Sequence, residues 1–130
     1  MLTEVKVVDA SAVAALLFGE PAAEDILQQL GEAALVAPTL LRYEVGSVCL
    51  KKLVRYGDQS EALLEALALL DRMEIEEIDI PIADATMLAV ASHLTLCDAA
   101  YLWLATSLDA ELITLDRRLR SAWISACESL

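Results

Sequence analysis

The run Val5-Lys6-Val7-Val8-Asp9-Ala10-Ser11 decides how this chain is read. From Glu4 to Val8 the residues alternate and then turn apolar, the pattern of a strand entering a core. Residues 11–18 are Ala- and Leu-rich and read as a helix, stopped near Gly19. Strand, acid and helix therefore meet at Asp9. Burying a lone carboxylate is costly, so Asp9 needs a partner, and either a helix cap or a divalent cation can be one.

Outward from this junction the alternation continues. Pro21 opens a second helix, closed by Gly31. Residues 33–37 are a short apolar run ended by Pro38 and predict a second strand. Residues 39–56 predict a long helix stopped by Gly57, and residues 60–72 another with Ser60 as N-cap. Residues 75–80 alternate apolar and acidic side chains, as a strand does. Pro81 then starts a helix reaching about His93, and residues 95–108 are helical again. Residues 111–114 read as a strand, residues 116–122 as a short helix, and the tail over 123–130 as a candidate edge strand. Strands alternating with helices predict an α/β fold, a three-layer α/β/α sandwich around a mostly parallel sheet. Such sheets bind ligands beyond the carboxyl ends of their strands. No internal repeat or linker interrupts residues 1–130, which read as a single domain.

Hydrophobic residues make up 58% of the chain and the mean hydropathy is +0.55. That excess predicts apolar surface to be covered in a homodimer or by a partner. No apolar run approaches the roughly eighteen residues of a membrane span, so no membrane association is expected. The start carries no basic, then long apolar, leader pattern, and a cytoplasmic address follows as the expectation. Cys49, Cys97 and Cys127 are odd in number and widely spaced, and read as small buried hydrophobes in a reducing compartment. The net charge of −12 argues against charge-driven binding of duplex DNA. Basic residues are nonetheless grouped: Lys51, Lys52 and Arg55 follow Glu44, and Arg117, Arg118 and Arg120 follow Asp116.

Four acids stand where apolar segments end or turn: Asp9, Glu44, Asp98 and Asp116. Asp9 and Asp116 lie at or just past predicted strand ends, while Glu44 and Asp98 fall early in predicted helices. All four can share one rim. Each aspartate also has a capping role open to it. Asp9 can cap the following helix together with Ser11, Asp98 can close a capping box with Thr95, and Asp116 can cap residues 117–122. Glu44, set among Leu40, Leu41, Val45 and Val48 on a largely apolar segment, is harder to explain that way. Lys51 and Arg55, seven and eleven positions after Glu44, return to nearly its face of the helix. They suit the track of a polyanion, or an ordinary amphipathic surface stripe.

Absences narrow the chemistry. There is no GxxxxGK[ST] and no GxGxxG, so nucleotide cofactors have no support. His93 is the sole histidine, which excludes histidine-rich zinc sites, and its place near a helix end suits the helix dipole or solvent. All-oxygen donors select Mg²⁺ or Mn²⁺ over zinc. Clustered carboxylates holding such ions suit phosphodiester hydrolysis, because the cation inverts the local sign that would repel a phosphate.

These residues resemble the PIN-domain family, in particular the VapC-type toxin ribonucleases, over nearly the whole chain. Val7-Val8-Asp9-Ala10-Ser11 looks like the family's opening strand and first acid, and Arg42-Tyr43-Glu44-Val45 like its helix-borne glutamate. Leu96-Cys97-Asp98-Ala99-Ala100-Tyr101-Leu102 is similar to the family's Asp-Ala-x-Tyr segment. Leu112-Ile113-Thr114-Leu115-Asp116-Arg117-Arg118-Leu119 is similar to the segment carrying the last acid. The resemblance implies a parallel sheet of about five strands and Mg²⁺- or Mn²⁺-dependent endoribonuclease activity. It implies that Asp9, Glu44, Asp98 and Asp116 are the catalytic, metal-holding quartet and that Ser11 and Thr114 support it. With RNA as the polyanion, the grouped basic residues Lys51, Arg55 and Arg117 are the expected contacts to it. It further implies a homodimer silenced by a cognate antitoxin. His93 departs from the pattern, standing where relatives often carry Gly. Alternative readings are a non-toxin PIN nuclease of RNA processing, a receiver-like Mg²⁺-binding signalling domain, and a binding domain with a degenerate site. Asp84 and Asp109 are further acids expected at the surface.

Overall fold

A computed structural model describes residues 3–129. Val5–Val8 forms β1, which runs through Asp9 into α1, Ala10–Leu17. Then come α2, Ala23–Leu30, and β2, Ala34–Pro38. The long helix α3, Leu41–Arg55, is followed by a short 3₁₀ turn and by α4, Ser60–Ala68. After a second 3₁₀ turn, β3 spans Glu76–Ile78 and α5 spans Ile82–Ser92. Last are α6, Leu96–Leu108, β4, Glu111–Ile113, and α7, Arg117–Glu128.

The strands form one parallel sheet in the order β3-β2-β1-β4. The sheet therefore has four strands among the described residues, where the sequence suggested about five. The tail accounts for the difference. Leu119, Ala122, Trp123 and Ala126 recur at helical spacing and pack on the core, so residues 123–128 extend α7 instead of adding an edge strand. The edge strand β3 is also shorter than residues 75–80, because only Glu76, Glu77 and Ile78 find partners on β2. Its exposed Glu76 and Glu77 discourage pairing with another chain.

Register sets the site. Val7 pairs with Val36 on one side and Leu112 on the other, and Val8 pairs with Ile113. Val7 and Val8 are wholly buried, as central strands of a parallel sheet require. The chain winds from β1 through β2 to β3 and then returns to the far side of β1 as β4. This reversal is a topological switch point, where α/β sheets open a crevice beyond their strand ends. Helix α6 lies against β1, β2 and β4, flanked by α5 and α7, while α1 packs on α2 and α3 in a second helical layer. Ala99, Ala100 and Ala105 let α6 approach the sheet closely. Among the described residues no single helix is long and apolar enough to cross a membrane. Of the cysteines only Cys49 is buried; Cys97 and Cys127 are exposed, against the expectation of three buried hydrophobes, because they fall on the outward faces of α6 and α7.

Candidate active site at the strand ends

The carboxylate of Asp9 stands at the switch point. Its N–H donates to Ile113 O at 3.2 Å, which fixes the exit of β1 against that of β4. One carboxylate oxygen accepts from Ser11 Oγ at 2.7 Å and from the Ala12 N–H at 3.0 Å, so Asp9 is the N-cap of α1. The other accepts from Thr114 Oγ1. The two hydroxyls carry the network onward, Ser11 Oγ accepting from the Leu115 N–H at 2.9 Å and Thr114 Oγ1 from the Asp116 N–H at 3.0 Å. Asp9, Ser11 and Thr114 thus tie together two strand ends more than a hundred positions apart.

The other acids arrive on helix N-termini. Glu44 is in the first turn of α3 and accepts from the Tyr101 hydroxyl at 2.7 Å. Asp98 is in the first turn of α6, where Thr95 accepts from the Asp98 N–H at 3.1 Å. The capping of α6 runs through the Thr95 hydroxyl, which leaves the Asp98 carboxylate to face the other acids. Asp116 caps α7, accepting from the Arg118 and Leu119 N–H groups at 2.9 and 3.0 Å. Capping and clustering are therefore not alternatives here. Helices that begin on this rim put both the caps and the acids there, and their positive ends ease the crowding of negative charge.

The electrostatics record that crowding. Burial pushes the Asp9 carboxyl above its ordinary range despite three hydrogen bonds that oppose the shift, and the charge on Asp98 adds to it. Burial likewise raises Glu44; Tyr101 opposes this, and Asp98 and Asp9 reinforce it. Asp98 is raised by burial and then by Asp116, with Thr95 and Arg118 pulling the other way. The neighbouring Cys97 thiol is also pushed up, by burial and then by Glu44 and Asp98. Each member of the quartet is coupled to at least one other, Asp9 and Glu44 through Asp98 and Asp98 through Asp116, so the four lie within reach of one another's charge. Among the described residues no ion pair engages any of the four.

An excess of oxygen donors, engaged by no ion pair among the described residues, fits a hard divalent cation. Among the described residues, however, no three His, Cys, Asp or Glu side chains stand close enough to hold an ion as placed. Glu44, Asp98 and Asp116 are only part-buried, whereas Asp9 is buried and held from both sides.

Other residues singled out in the sequence fall elsewhere. Lys51 and Arg55 lie about 10 and 16 Å beyond Glu44 along α3 at helical rise, beside Lys52, which pairs with Glu20 at 3.4 Å. Arg117 is exposed, directly after Asp116. Asp84 and Asp109 are exposed, and neither is among the charges acting on Asp9, Glu44 or Asp98. His93 caps the C-terminus of α5 in the left-handed region, at φ 56°, a position that glycine takes without cost. Tyr101 is the contributor the residue-by-residue reading passed over. Its signal was its spacing, three positions after Asp98 on the buried face of α6.

The PIN domain family matches over residues 6–122. A curated relative, Ribonuclease VapC3 of Pyrobaculum aerophilum, is 34% identical over 118 residues, covering 87% of this chain and 90% of the relative. Among solved structures, the crystal structure of PAE2754 from Pyrobaculum aerophilum matches with a TM-score of 0.65 and 26% identity, covering 94% of this chain and 87% of that one.

Proposed function

The chain belongs to the PIN-domain family, and on that premise we propose that it is a Mg²⁺- or Mn²⁺-dependent endoribonuclease, the toxin of a VapBC-type pair, held in check in the cytoplasm by a cognate antitoxin. The observation that carries the nuclease reading is the buried, hydroxyl-anchored Asp9 at the switch point, with the charge of Asp98 raising the proton affinity of Asp9 and Glu44, and that of Asp116 raising Asp98. A relative named as a ribonuclease points to RNA as the substrate. The family assignment removes the receiver-like alternative.

In this proposal Asp9, Glu44, Asp98 and Asp116 hold the metal. When bound, such an ion neutralises the approaching phosphate, acidifies the attacking water and steadies the leaving oxygen. The protein's own residues prepare the place. Ser11 and Thr114 lock the Asp9 carboxylate from both sides, so its orientation does not depend on a ligand. Tyr101 sets the direction of Glu44 from the buried face of α6. Lys51, Arg55 and Arg117 lie outside the cluster as contacts for the flanking RNA backbone.

Exposed apolar side chains support protein partners. Tyr43, Leu50 and Val54, at 83, 60 and 81% exposure, form one stripe along α3. This stripe suits the antitoxin. Ile82, Met87 and Val90 on α5, at 65, 69 and 67%, suit the homodimer.

The test is cleavage of total RNA by purified protein with Mg²⁺, with Mn²⁺ and with EDTA, beside Asp9→Asn. Cleavage only with metal, and none by the variant, is expected. Cleavage in EDTA or full activity of Asp9→Asn would refute the mechanism.

A further inference from the structure

A cavity of about 380 Å³ opens beside the acidic cluster, between the end of α5 and the first turns of α7. Its polar lining comes from Ser92, His93, Arg117, Arg118, Ser121 and Ser125. No carboxylate lines it, although the chain carries a net charge of −12. Two arginines, an imidazole and three serine hydroxyls gathered beside Leu94 and Ala122, in so acidic a molecule, are a local reversal of sign.

Its position ties it to the quartet. Asp116 caps α7 immediately before Arg117. The charge of Arg118 reaches Asp98, where it opposes the repulsion from Asp116. Arg118 also donates to the His93 carbonyl at 2.8 Å, joining the two walls of the cavity. That bond holds His93 in its left-handed conformation, where a side chain is less comfortable than glycine. An exposed imidazole is thus kept at the cavity mouth at a cost to the backbone.

On the RNA-nuclease reading above, we infer that this cavity is a phosphate subsite, taking a backbone phosphodiester of the RNA strand next to the one presented to the acids. Arginine and histidine N–H groups and serine hydroxyls are donors that suit phosphate oxygens. A strand crossing the acidic rim needs such an anchor, because the acids alone repel its backbone. Lys51 and Arg55 on α3 supply cationic charge on another side of Glu44. The α5–α7 cavity, open to solvent, adds donors that begin at Arg117, directly after Asp116.

The test is steady-state cleavage of a mixed-sequence single-stranded RNA oligonucleotide in Mn²⁺ over a series of salt concentrations. Wild type, Arg117→Gln and His93→Gly are compared, each with its thermal melting point. Each variant should raise KM by about 5- to 10-fold, with the loss falling on KM rather than kcat, and Arg117→Gln should also lower the salt slope of kcat/KM by about one. His93→Gly should melt at the same temperature as wild type or higher, since it relieves the left-handed strain. A purely structural role for His93 predicts the reverse, a lower melting point with KM unmoved. Metal-dependent cleavage by wild type with unchanged KM and salt slope in both variants overturns the subsite and leaves the nuclease standing. Weakened binding of polyglutamate with an unchanged RNA KM overturns it in favour of an acidic protein segment. Absence of cleavage by wild type in either metal removes the nuclease reading, and the subsite with it.

Discussion

Asp9 shows how one side chain serves the fold and the chemistry at once. It caps α1, ties β1 to β4 through Thr114, and is nearly fully buried with like charges nearby. Asp9→Asn keeps an oxygen for the cap and removes the charge that burial penalises. The expected outcome is activity below about one per cent of wild type, the scale on which losing a preorganised charged group acts. In EDTA the same variant should have an equal or higher urea midpoint than wild type. A lower midpoint would mean that the capping bonds outweigh the relief of repulsion. Tyr101 makes a second residue-scale case. Its ring fills the core while its hydroxyl holds Glu44. Tyr101→Phe should cost about 1 kcal/mol of stability and raise the Mn²⁺ concentration needed for half-maximal cleavage by about 10- to 100-fold, as loss of an orienting partner does. Unchanged metal dependence would show that Glu44 needs no such support.

Among the elements, α7 differs most from its reading in the sequence. Arg117-Arg118-Leu119-Arg120-Ser121 looks like a short polar helix, and the apolar residues after it suit either a strand or a helix. What decides is the stripe of Leu119, Ala122, Trp123 and Ala126, which has somewhere to go only once α6 and the sheet form a surface beneath it. Leu119 is wholly buried, so Leu119→Ala should destabilise the protein by about 2–5 kcal/mol in urea unfolding. A loss below about 1 kcal/mol would mean that α7 is only loosely docked. The helices bearing Glu44 and Asp98 were legible almost to their ends. Their apolar periodicity is long, and the stop at Gly57 is a local signal.

At the scale of the whole molecule, acidic charge concentrated on one rim governs stability in the absence of metal. Asp9, Glu44 and Asp98 have folded proton affinities above their ordinary values, so the native state binds more protons than the unfolded chain in the range just above the usual carboxylate pKa. Metal-free stability is therefore greatest at and below that range, and is lost as pH rises through the raised values. Urea midpoints in EDTA should fall from weakly acidic to neutral pH, and added Mn²⁺ should restore the loss by mass action. A midpoint that rises over that interval, or ignores Mn²⁺, would contradict this account. Much of the molecule was readable from the chain alone, because strand alternation, helix periodicity and stops at Gly and Pro are local signals. They sufficed for a parallel α/β fold and for four acids at strand ends or early in helices, since a helix entering from a strand must start on the same edge. Five things needed the folded structure. The strand count and the end of α7 depend on which surfaces are left to cover. The bond from Tyr101 to Glu44 joins residues 57 positions apart in sequence, and the buried Asp9 is bonded to Thr114 at the end of the neighbouring strand β4, distant in sequence. The cationic cavity between His93 and Arg117 is formed by helix ends that meet only when the sheet reverses its winding. Local pattern specifies which residues can share an edge, and packing alone determines which of them touch.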